Sequence, residues 1–200
     1  MKKIIITIGR QFGSGGLLVA KELGARLGIP VYDNELITKA AQDSGFDAEF
    51  FKRSDEKKSL FSLSGLFSAG TDNCMSDSGL FNMQCETIRS IAEQGSAIIV
   101  GRCADYVLRD HENLVSVFLT SPIEARAKRV MDRDNLSHDE ALAKIEKKDK
   151  SREAYYNYFT FGNWGIASTY TLCLDSSILG IQGTADLIIE FITRSGHAER

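Results

Sequence analysis

The short stretch Gly13-Ser14-Gly15-Gly16 has a composition that suits the binding of phosphate. It follows a β-branched run, Lys2 to Ile8, that is typical of a strand buried on both faces. Val19, Leu23 and Leu27 then recur at four-residue steps, as in an amphipathic helix. Backbone N–H groups at such a turn can converge on one anion, and the helix start adds about half a positive charge. The stretch therefore predicts a phosphate-binding loop; a tight turn that needs glycine only for close helix packing is the alternative.

The loop lacks the cation that loops of this kind normally carry. Their usual pattern is G-x-x-x-x-G-K-[ST], but here Arg10 stands at the first glycine and Gly16 at the lysine. Leu17 or Leu18 falls where a hydroxyl usually holds Mg²⁺, and Ser14 is the only hydroxyl inside the loop. A guanidinium can bind two phosphate oxygens at once. We therefore expect Arg10, or an arginine from elsewhere, to supply the missing charge.

Apolar segments of strand length recur along the chain and alternate with segments of helix length. A helix is expected from about Asn34 to Ala41, and another near the end from Thr184 to Arg194. The further strands are expected at Val31 and over Ser96 to Val100, Leu114 to Leu119 and Thr169 to Leu174. This alternation predicts an α/β fold in which helices cover both faces of a parallel sheet.

Two further helix starts are marked by a serine followed three residues later by a glutamate. Ser121-Pro122-Ile123-Glu124 and Ser137-His138-Asp139-Glu140 both have the spacing of a capping box. The helix expected after the first carries Arg126, Arg129 and Arg133, whose spacings of three and four place them on one face. Such charges indicate either a solvated face or a lid that closes over phosphates.

The segment 54–79 departs from this alternation, because seven serines and three glycines are mixed with Leu and Phe. It is interpreted as a mobile insert. Its apolar residues, among them Phe61, Leu66 and Phe67, suggest that it folds over a substrate or forms a homodimer contact. A partly disordered surface loop is the alternative.

Composition excludes several classes of function. The 24 basic and 27 acidic side chains give a net charge of −3 without a block of five like charges, which disfavours a nucleic-acid partner. No apolar run approaches the roughly 20 residues that a membrane helix needs, so no membrane partner is expected. The four cysteines show no metal-ligand spacing. We therefore expect no protein-bound metal, and reduced thiols in a cytoplasmic protein.

Four blocks of the sequence, in order, resemble the cytidylate kinase-like family of P-loop nucleoside monophosphate kinase relatives. The blocks are ITIGRQFGSGGLLVAKELGARLGIPVYDNELI, IIVGRCADYVLRD, VFLTSPIEARAKRVMDRD and KKDKSREAYY. The resemblance implies a single domain, 1–200, with a three-layer P-loop kinase fold around a five-stranded parallel sheet. It also implies a helical monophosphate-binding insert at about 34–95 and a lid region at about 122–165. The implied activity is a phosphotransferase that uses ATP with Mg²⁺.

The resemblance places acceptor-binding residues after the second and third strands. Asp33 falls at the start of a segment that meets the acceptor's base and sugar, with Asn34 in place of its serine. Arg102 matches an arginine that contacts the acceptor phosphate, while Cys103 replaces the neighbouring aspartate. Arg102 also follows an apolar strand, at the edge where open α/β sheets bind ligands. The alternative for Asp33 is a cap on the helix that begins near Asn34.

Asp149 and Arg152 match a pair in the lid region that reads the cytosine base and the phosphate of the acceptor. Ile145 stands where the family has a further arginine. The alternative for Asp149 and Arg152 is an ion pair on a helix surface, because they are three residues apart.

Together these residues lead to one hypothesis, with two alternatives. Backbone N–H groups of Gly13 to Gly16 would hold ATP, and CMP or dCMP would accept the phosphoryl group. The transferring group would be stabilised by Arg10, Arg126, Arg129 and Arg133. The first alternative is a kinase of the same fold with a non-nucleotide acceptor. The second is a nucleotide-binding protein without catalysis, suggested by the absent lysine.

Overall fold

Five parallel strands form the central sheet in the order β2-β3-β1-β4-β5. The computed structural model of the protein describes residues 3–43 and 71–196. The strands are β1 Ile5–Arg10, β2 Val31–Tyr32, β3 Ala97–Val100, β4 Leu114–Thr120 and β5 Leu172–Asp175. The helices are α1 Gly16–Leu27, α2 Asn34–Asp43, α3 Thr71–Gln94, α4 Ala104–Val107, α5 Ile123–Asp134, α6 His138–Thr160 and α7 Ser176–Arg194, and a 3-10 turn spans Ala167–Thr169. The predicted α/β architecture with a five-stranded parallel sheet is confirmed.

The strand β1 lies at the centre of the sheet and its isoleucines face alternate sides. Ile4, Ile6 and Ile8 are fully buried in the core that α1 and α7 cover. Ile5 is fully buried in the opposite core, where it meets Ile88 of α3. Each such side chain contributes roughly 1.5–3 kcal/mol by leaving water. The two cores make the protein a three-layer structure.

The strand β1 extends two residues beyond its predicted end at Ile8. Arg10 is paired in register with Leu119 of β4, so its backbone is held by the sheet. The strand β5 starts at Leu172, later than predicted, because the 3-10 turn takes up the preceding residues. The extension of β1 fixes the point from which the Arg10 side chain leaves the sheet.

The helices α5 and α6 share a smaller core beside the glycine-rich loop. Ala127, Val130, Ala141 and Ile145 are buried there, and the half-buried Phe12 of the loop packs against them. Ile145 is 2% exposed. The position where the family resemblance implies an arginine is therefore used here for packing.

One of the two predicted capping boxes is confirmed and the other is wrong. The Ser137 hydroxyl accepts the Glu140 N–H, and the Glu140 carboxylate accepts the Ser137 N–H. Pro122, rather than Ser121, precedes the first turn of α5, and no side chain caps that helix. Glu124 instead contacts the His138 ring at 3.0 Å, while the Ser121 N–H donates to Gln11. The helix thus begins one residue later than the box requires, and the Ser121 hydroxyl has no hydrogen-bond partner in the described part of the chain.

The serine-rich segment is only partly described. Residues 54–70, including Phe61, Leu66 and Phe67, lie outside the described residues. From Thr71 onward the chain is helical in α3, so residues 71–79 have regular secondary structure, and the mobility of the insert stays a prediction. None of the described helices is both long and apolar enough to cross a membrane.

Candidate functional site

The glycine-rich loop joins β1 to α1 and leaves several backbone N–H groups open. Gly13 and Gly15 have φ values of 82° and 83°, a conformation that strains residues with a side chain. No residue in the described part of the chain accepts a hydrogen bond from the N–H of Gly13, Gly15 or Gly16. These groups lie at a helix start, where they can bind an anion.

Ser14 supports the loop from inside. Its N–H and its hydroxyl both donate to the Gln11 carbonyl, at 3.3 and 2.9 Å. Its own carbonyl accepts the Ser176 hydroxyl at 2.5 Å, and Ser14 is fully buried. The Ser14 hydroxyl is therefore engaged in the loop, and any contact with ATP stays a prediction for this residue.

The loop region offers no side-chain site for a resident metal. Leu17 and Leu18 are 37% and 50% exposed and carry no oxygen. Within residues 3–43 and 71–196, no group of three or more His, Cys, Asp or Glu side chains could hold a metal ion. Mg²⁺ is often held largely by substrate phosphates and water, so these residues fit a metal that arrives with a nucleotide.

The Arg10 side chain occupies the space where a lysine at position 16 would start. A Cβ atom added to Gly16 would lie 2.7 Å from Arg10 Cβ and 2.9 Å from Arg10 Cγ. Real Cβ atoms essentially never approach other atoms closer than 3.0 Å. Glycine at position 16 is therefore the residue that allows Arg10 to pass over the start of α1.

The Arg10 guanidinium ends against Gly101, directly after β3. A Cβ atom on Gly101 would lie 2.1 Å from one terminal nitrogen of Arg10. Burial, reinforced by the charges of Arg152 and Arg102, lowers the pKa of Arg10 to about 9, against the opposing effect of Asp33. Arg10 remains positively charged at neutral pH, and two other cations, Arg152 and Arg102, act on it.

Arg102 lies in an unusual turn beside Arg10. Gly101, Arg102 and Cys103 all have positive φ values, of 80°, 56° and 54°. For residues with side chains this conformation costs on the order of 1–3 kcal/mol and is common at functional sites. Arg102 donates from its Nε to the Asn34 side-chain oxygen, and its guanidinium lies 5.4 Å from the centre of the Tyr155 ring.

Arg152 approaches the same place from α6. One of its terminal nitrogens donates to the Arg10 carbonyl at 3.0 Å, and its guanidinium lies 5.3 Å from the centre of the Phe12 ring. Burial lowers the pKa of Arg152, with a further contribution from Arg133 and an opposing one from Asp149. We call Arg10, Arg102 and Arg152 the three-arginine cluster. No described carboxylate forms an ion pair with any of its members.

Asp33 caps α2, as the alternative from the sequence predicted. Its Oδ1 atom accepts the N–H groups of Glu35 and Leu36, each at 3.1 Å. The carboxylate also acts on the charge of Arg10. A contact between Asp33 and an acceptor base or sugar stays a prediction.

Asp149 holds the loop rather than forming a surface ion pair. One of its oxygens accepts the Phe12 N–H at 2.7 Å, and the other pairs with Arg126 at 2.5 Å. The side chains of Asp149 and Arg126 are 18% and 10% exposed. The predicted surface pair of Asp149 with Arg152 is absent from the ion pairs of the described residues. A role of Asp149 in reading a base stays a prediction.

The three arginines of α5 have different surroundings. Arg126 is bound to Asp149, and Arg133 forms two contacts of 2.7 Å with Asp134. Arg129 has no ion-pair partner among the described residues; it donates to the Gly13 carbonyl at 2.5 Å. Its guanidinium carbon would lie 3.6 Å from a Cβ on Gly15. Arg129 is therefore the α5 cation that the fold places beside the open N–H groups.

Two groups of residues at this site were missed from the sequence. The Tyr155 hydroxyl donates to the buried Gln84 of α3 at 3.0 Å, and burial raises the pKa of Tyr155 to about 12. The Tyr156 hydroxyl donates to Asp105 at 2.8 Å, and burial raises the pKa of Asp105. Both tyrosines lie within the block KKDKSREAYY. Their hydrogen bonds connect α6 to α3 and α4, the helices that precede and follow β3 in the sequence.

We expect Tyr156→Phe to destabilise the protein by about 1–3 kcal/mol at neutral pH, because it leaves a largely buried carboxylate without its donor. Burial raises the folded-state pKa of Asp105 above its unfolded value, so the cost is present above that pKa. The cost should shrink as pH falls through the folded-state pKa, since the carboxyl group becomes neutral. Urea unfolding at several pH values measures this. Tyr158→Phe, which changes an exposed tyrosine of the same helix, should stay within about 0.5 kcal/mol, and an equal loss in both variants would contradict the expectation.

Comparisons with known proteins identify the family of the chain. A model of the cytidylate kinase-like family matches residues 5–178. The cytidylate kinase of Methanopyrus kandleri is 29% identical over 183 residues, which cover 87% of this chain and 85% of that relative. The cytidylate kinase of Pyrobaculum calidifontis is 26% identical over 194 residues, which cover 96% and 94% of the two chains.

Solved structures extend the comparison. An uncharacterized protein from Eubacterium ventriosum is 32% identical and superposes with a TM-score of 0.76 over 96% of this chain and 99% of that protein. The shikimate kinase of Bacteroides thetaiotaomicron is 12% identical, with a TM-score of 0.56 over 95% and 98% of the two chains, a likeness that shows the fold alone. The fold is that of the P-loop kinases, and the chain belongs to the cytidylate kinase-like family.

Proposed function

We propose that the protein transfers the γ-phosphoryl group of ATP to a nucleoside monophosphate, with CMP or dCMP as the acceptor. Membership of the cytidylate kinase-like family supports a nucleotide kinase. The observation that carries the proposal is the three-arginine cluster, which lies beside a loop of open N–H groups and has no carboxylate partner in the described part of the chain. An anion bound among these guanidinium groups would offset their mutual repulsion.

The loop supplies the donor side of the site. The N–H groups of Gly13, Gly15 and Gly16 can bind phosphate oxygens, and Arg129 lies against Gly15. Magnesium would enter with ATP and neutralise part of the charge on its phosphates. The loop itself is held in place by Asp149 and Arg126, which bind the N–H and the carbonyl of Phe12.

The three-arginine cluster supplies the acceptor side. Arg102 is oriented by its hydrogen bond to Asn34 and by the Tyr155 ring. A nucleoside monophosphate carries about two negative charges at neutral pH, which would offset the mutual repulsion of the guanidinium groups. The cluster and the loop N–H groups therefore suit two phosphates that face each other.

Phosphoryl transfer at such a site requires positioning and charge stabilisation more than proton transfer. An oxygen of the acceptor phosphate forms a bond to the γ-phosphorus while the bond from that phosphorus to the β–γ bridging oxygen breaks. The products are ADP and a nucleoside diphosphate. The acceptor oxygen is already ionised, so no side chain has to remove a proton.

The choice of CMP or dCMP rests on the relatives. Both relatives described above are named cytidylate kinase. The chain keeps an aromatic group near Arg102, in which Phe81 and Phe159 stack at 4.1 Å and Tyr155 lies beside them. This group gives the acceptor side apolar surface on which a base can pack.

The test is an acceptor panel scored by ADP release, after a thermal-shift screen with ATP, CMP, dCMP, UMP and AMP. We expect ADP release with CMP or dCMP that exceeds the rate with AMP at least tenfold. Arg102→Ala should raise the acceptor KM at least tenfold, whereas Arg194→Ala, on an exposed arginine near the end of α7, should not. ADP release only with a non-nucleotide such as shikimate would contradict the proposal. So would a nucleotide-induced rise in Tm without turnover of any acceptor, which is the result expected of a non-catalytic binding protein.

A further inference from the structure

Arg10 crosses the site from the donor loop to the end of β3. Its backbone ends β1, its aliphatic chain passes over Gly16, and its guanidinium lies against Gly101. The sequence predicts that Arg10, or an arginine from elsewhere, supplies the charge of the missing lysine to ATP. The direction of the side chain decides which phosphate the guanidinium can reach.

The neighbours of the Arg10 guanidinium belong to the acceptor side. The charges that act on it are those of Arg152, Arg102 and Asp33. The family resemblance implies that all three of these residues bind the acceptor. Arg129 instead lies against Gly15 and the Gly13 carbonyl. Within the described residues, no group accepts a hydrogen bond from the Arg10 guanidinium. Its donors are therefore available to a ligand next to Gly101.

We infer that Arg10 binds the acceptor phosphate together with Arg102 and Arg152, and does not replace the loop lysine on ATP. Gly16 and Gly101 act as positioning residues, because they leave the path along which the Arg10 side chain extends. The inference rests on the proposed function for its ligand, a nucleoside monophosphate, and refines it. It assigns to glycine at position 16 a role that the standard loop pattern does not have.

Two observations support this assignment independently. A Cβ atom on Gly16 would lie 2.7 Å from Arg10 Cβ, close to the backbone, so position 16 must be glycine for this path of the side chain. A Cβ atom on Gly101 would lie 2.1 Å from a terminal nitrogen of Arg10, so the guanidinium would have to leave its place there. Burial and the charges of Arg152 and Arg102 lower the pKa of Arg10 to about 9, so the neighbouring cations outweigh the opposing effect of Asp33. A phosphate dianion at the three-arginine cluster would supply compensating negative charge.

The test separates donor binding from acceptor binding in Arg10→Ala. Calorimetry with CMP alone, with inorganic phosphate alone and with ATP alone needs no turnover. We expect CMP to bind at least tenfold more weakly to the variant, phosphate to bind more weakly as well, and the ATP Kd to change less than threefold. If turnover is measurable, the KM for the acceptor should rise while the KM for ATP does not.

A matched experiment tests the role of Gly16. Gly16→Ala should weaken CMP binding at least tenfold in the native background but cause no further loss in the Arg10→Ala background, because the two residues act through one path. Gly95→Ala is the control, since nothing lies within 4 Å of a Cβ there. Additive losses in the double variant would show that Gly16 does not act through Arg10.

Two outcomes overturn the inference. In the first, Arg10→Ala weakens ATP tenfold or more and leaves CMP unchanged, which would assign Arg10 to the donor. In the second, the native protein binds neither CMP nor inorganic phosphate at millimolar concentrations. Failure of the proposed function is a different result: no acceptor releases ADP, while the binding of CMP or phosphate still depends on Arg10.

Discussion

Replacing Arg129 by alanine is expected to lower kcat by about 10³-fold, the lower end of what a transition-state arginine contributes in phosphoryl transfer. Arg126 and Arg133 form ion pairs with Asp149 and Asp134, whereas Arg129 has no carboxylate partner among the described residues. Its guanidinium lies beside Gly15, where the open N–H groups converge. With no lysine at position 16, the donor side loses its nearest side-chain cation. Steady-state assays with saturating ATP and CMP measure the effect.

The control for this variant is Arg194→Ala, on a guanidinium that is 79% exposed near the end of α7. It should leave kcat within about twofold. Arg129 donates one hydrogen bond to the loop, so its removal should cost only about 1 kcal/mol of unfolding free energy. A kcat that stays within tenfold of the native value, in a folded variant, would remove Arg129 from the mechanism.

Restoring the standard loop by Gly16→Lys is expected to lower kcat/KM by about 100-fold instead of raising it. The lysine Cβ would fall within 3 Å of two carbon atoms of Arg10, so either the loop or the Arg10 side chain must move. A displacement of about 1 Å at a reacting centre can cost 10²-fold in rate. The measurement is kcat/KM for both substrates, with Gly95→Lys as a control for the added surface charge.

The double variant with Arg10→Gly and Gly16→Lys removes the steric conflict and recreates the usual loop apart from its hydroxyl, because Leu17 stays in place. We expect its donor KM to be close to the native value, with the acceptor KM still raised because one member of the three-arginine cluster is lost. A single Gly16→Lys variant with native activity would show that the path of Arg10 over position 16 is not required for function.

Local sequence signals predicted the sheet, and physical chemistry explains why. The strand Ile5–Arg10 begins with a continuous β-branched run, Ile5 to Ile8, that suits a sheet covered on both faces. The Ser137 box also worked, because its partner lies three residues away. The Ser121 box failed because Glu124 found His138, fourteen residues away in sequence, as its partner. A capping box whose side chains can also bind residues far away in sequence cannot be predicted from a few neighbouring residues alone.

The sequence predicted a glycine-rich turn before the first helix, and Gly13 and Gly15 have the positive φ values that such a turn needs. The roles of the site residues stay predictions, and the clustering of Arg10 with Arg102 and Arg152 did not follow from the sequence, which assigned Arg10 to ATP. The hydrogen bond between Asp149 and Phe12 could not be predicted from the sequence, because the two residues are 137 positions apart. The direction of the Arg10 side chain could not be predicted either, because it depends on the absence of a side chain at Gly101. Gly101 lies beside Arg10 only when β1 and β3 are paired.

The loop carbonyls have a consequence for how nucleotide affinity can change in this protein. Arg152 binds the carbonyl of Arg10, Arg126 that of Phe12 and Arg129 that of Gly13. The shape of the first turn of the molecule is thus set by two helices from the second half of the chain. Substitutions in those two helices would therefore change nucleotide affinity even at positions that do not contact the nucleotide. A loop transferred to another protein without the two helices would keep its sequence but not its conformation.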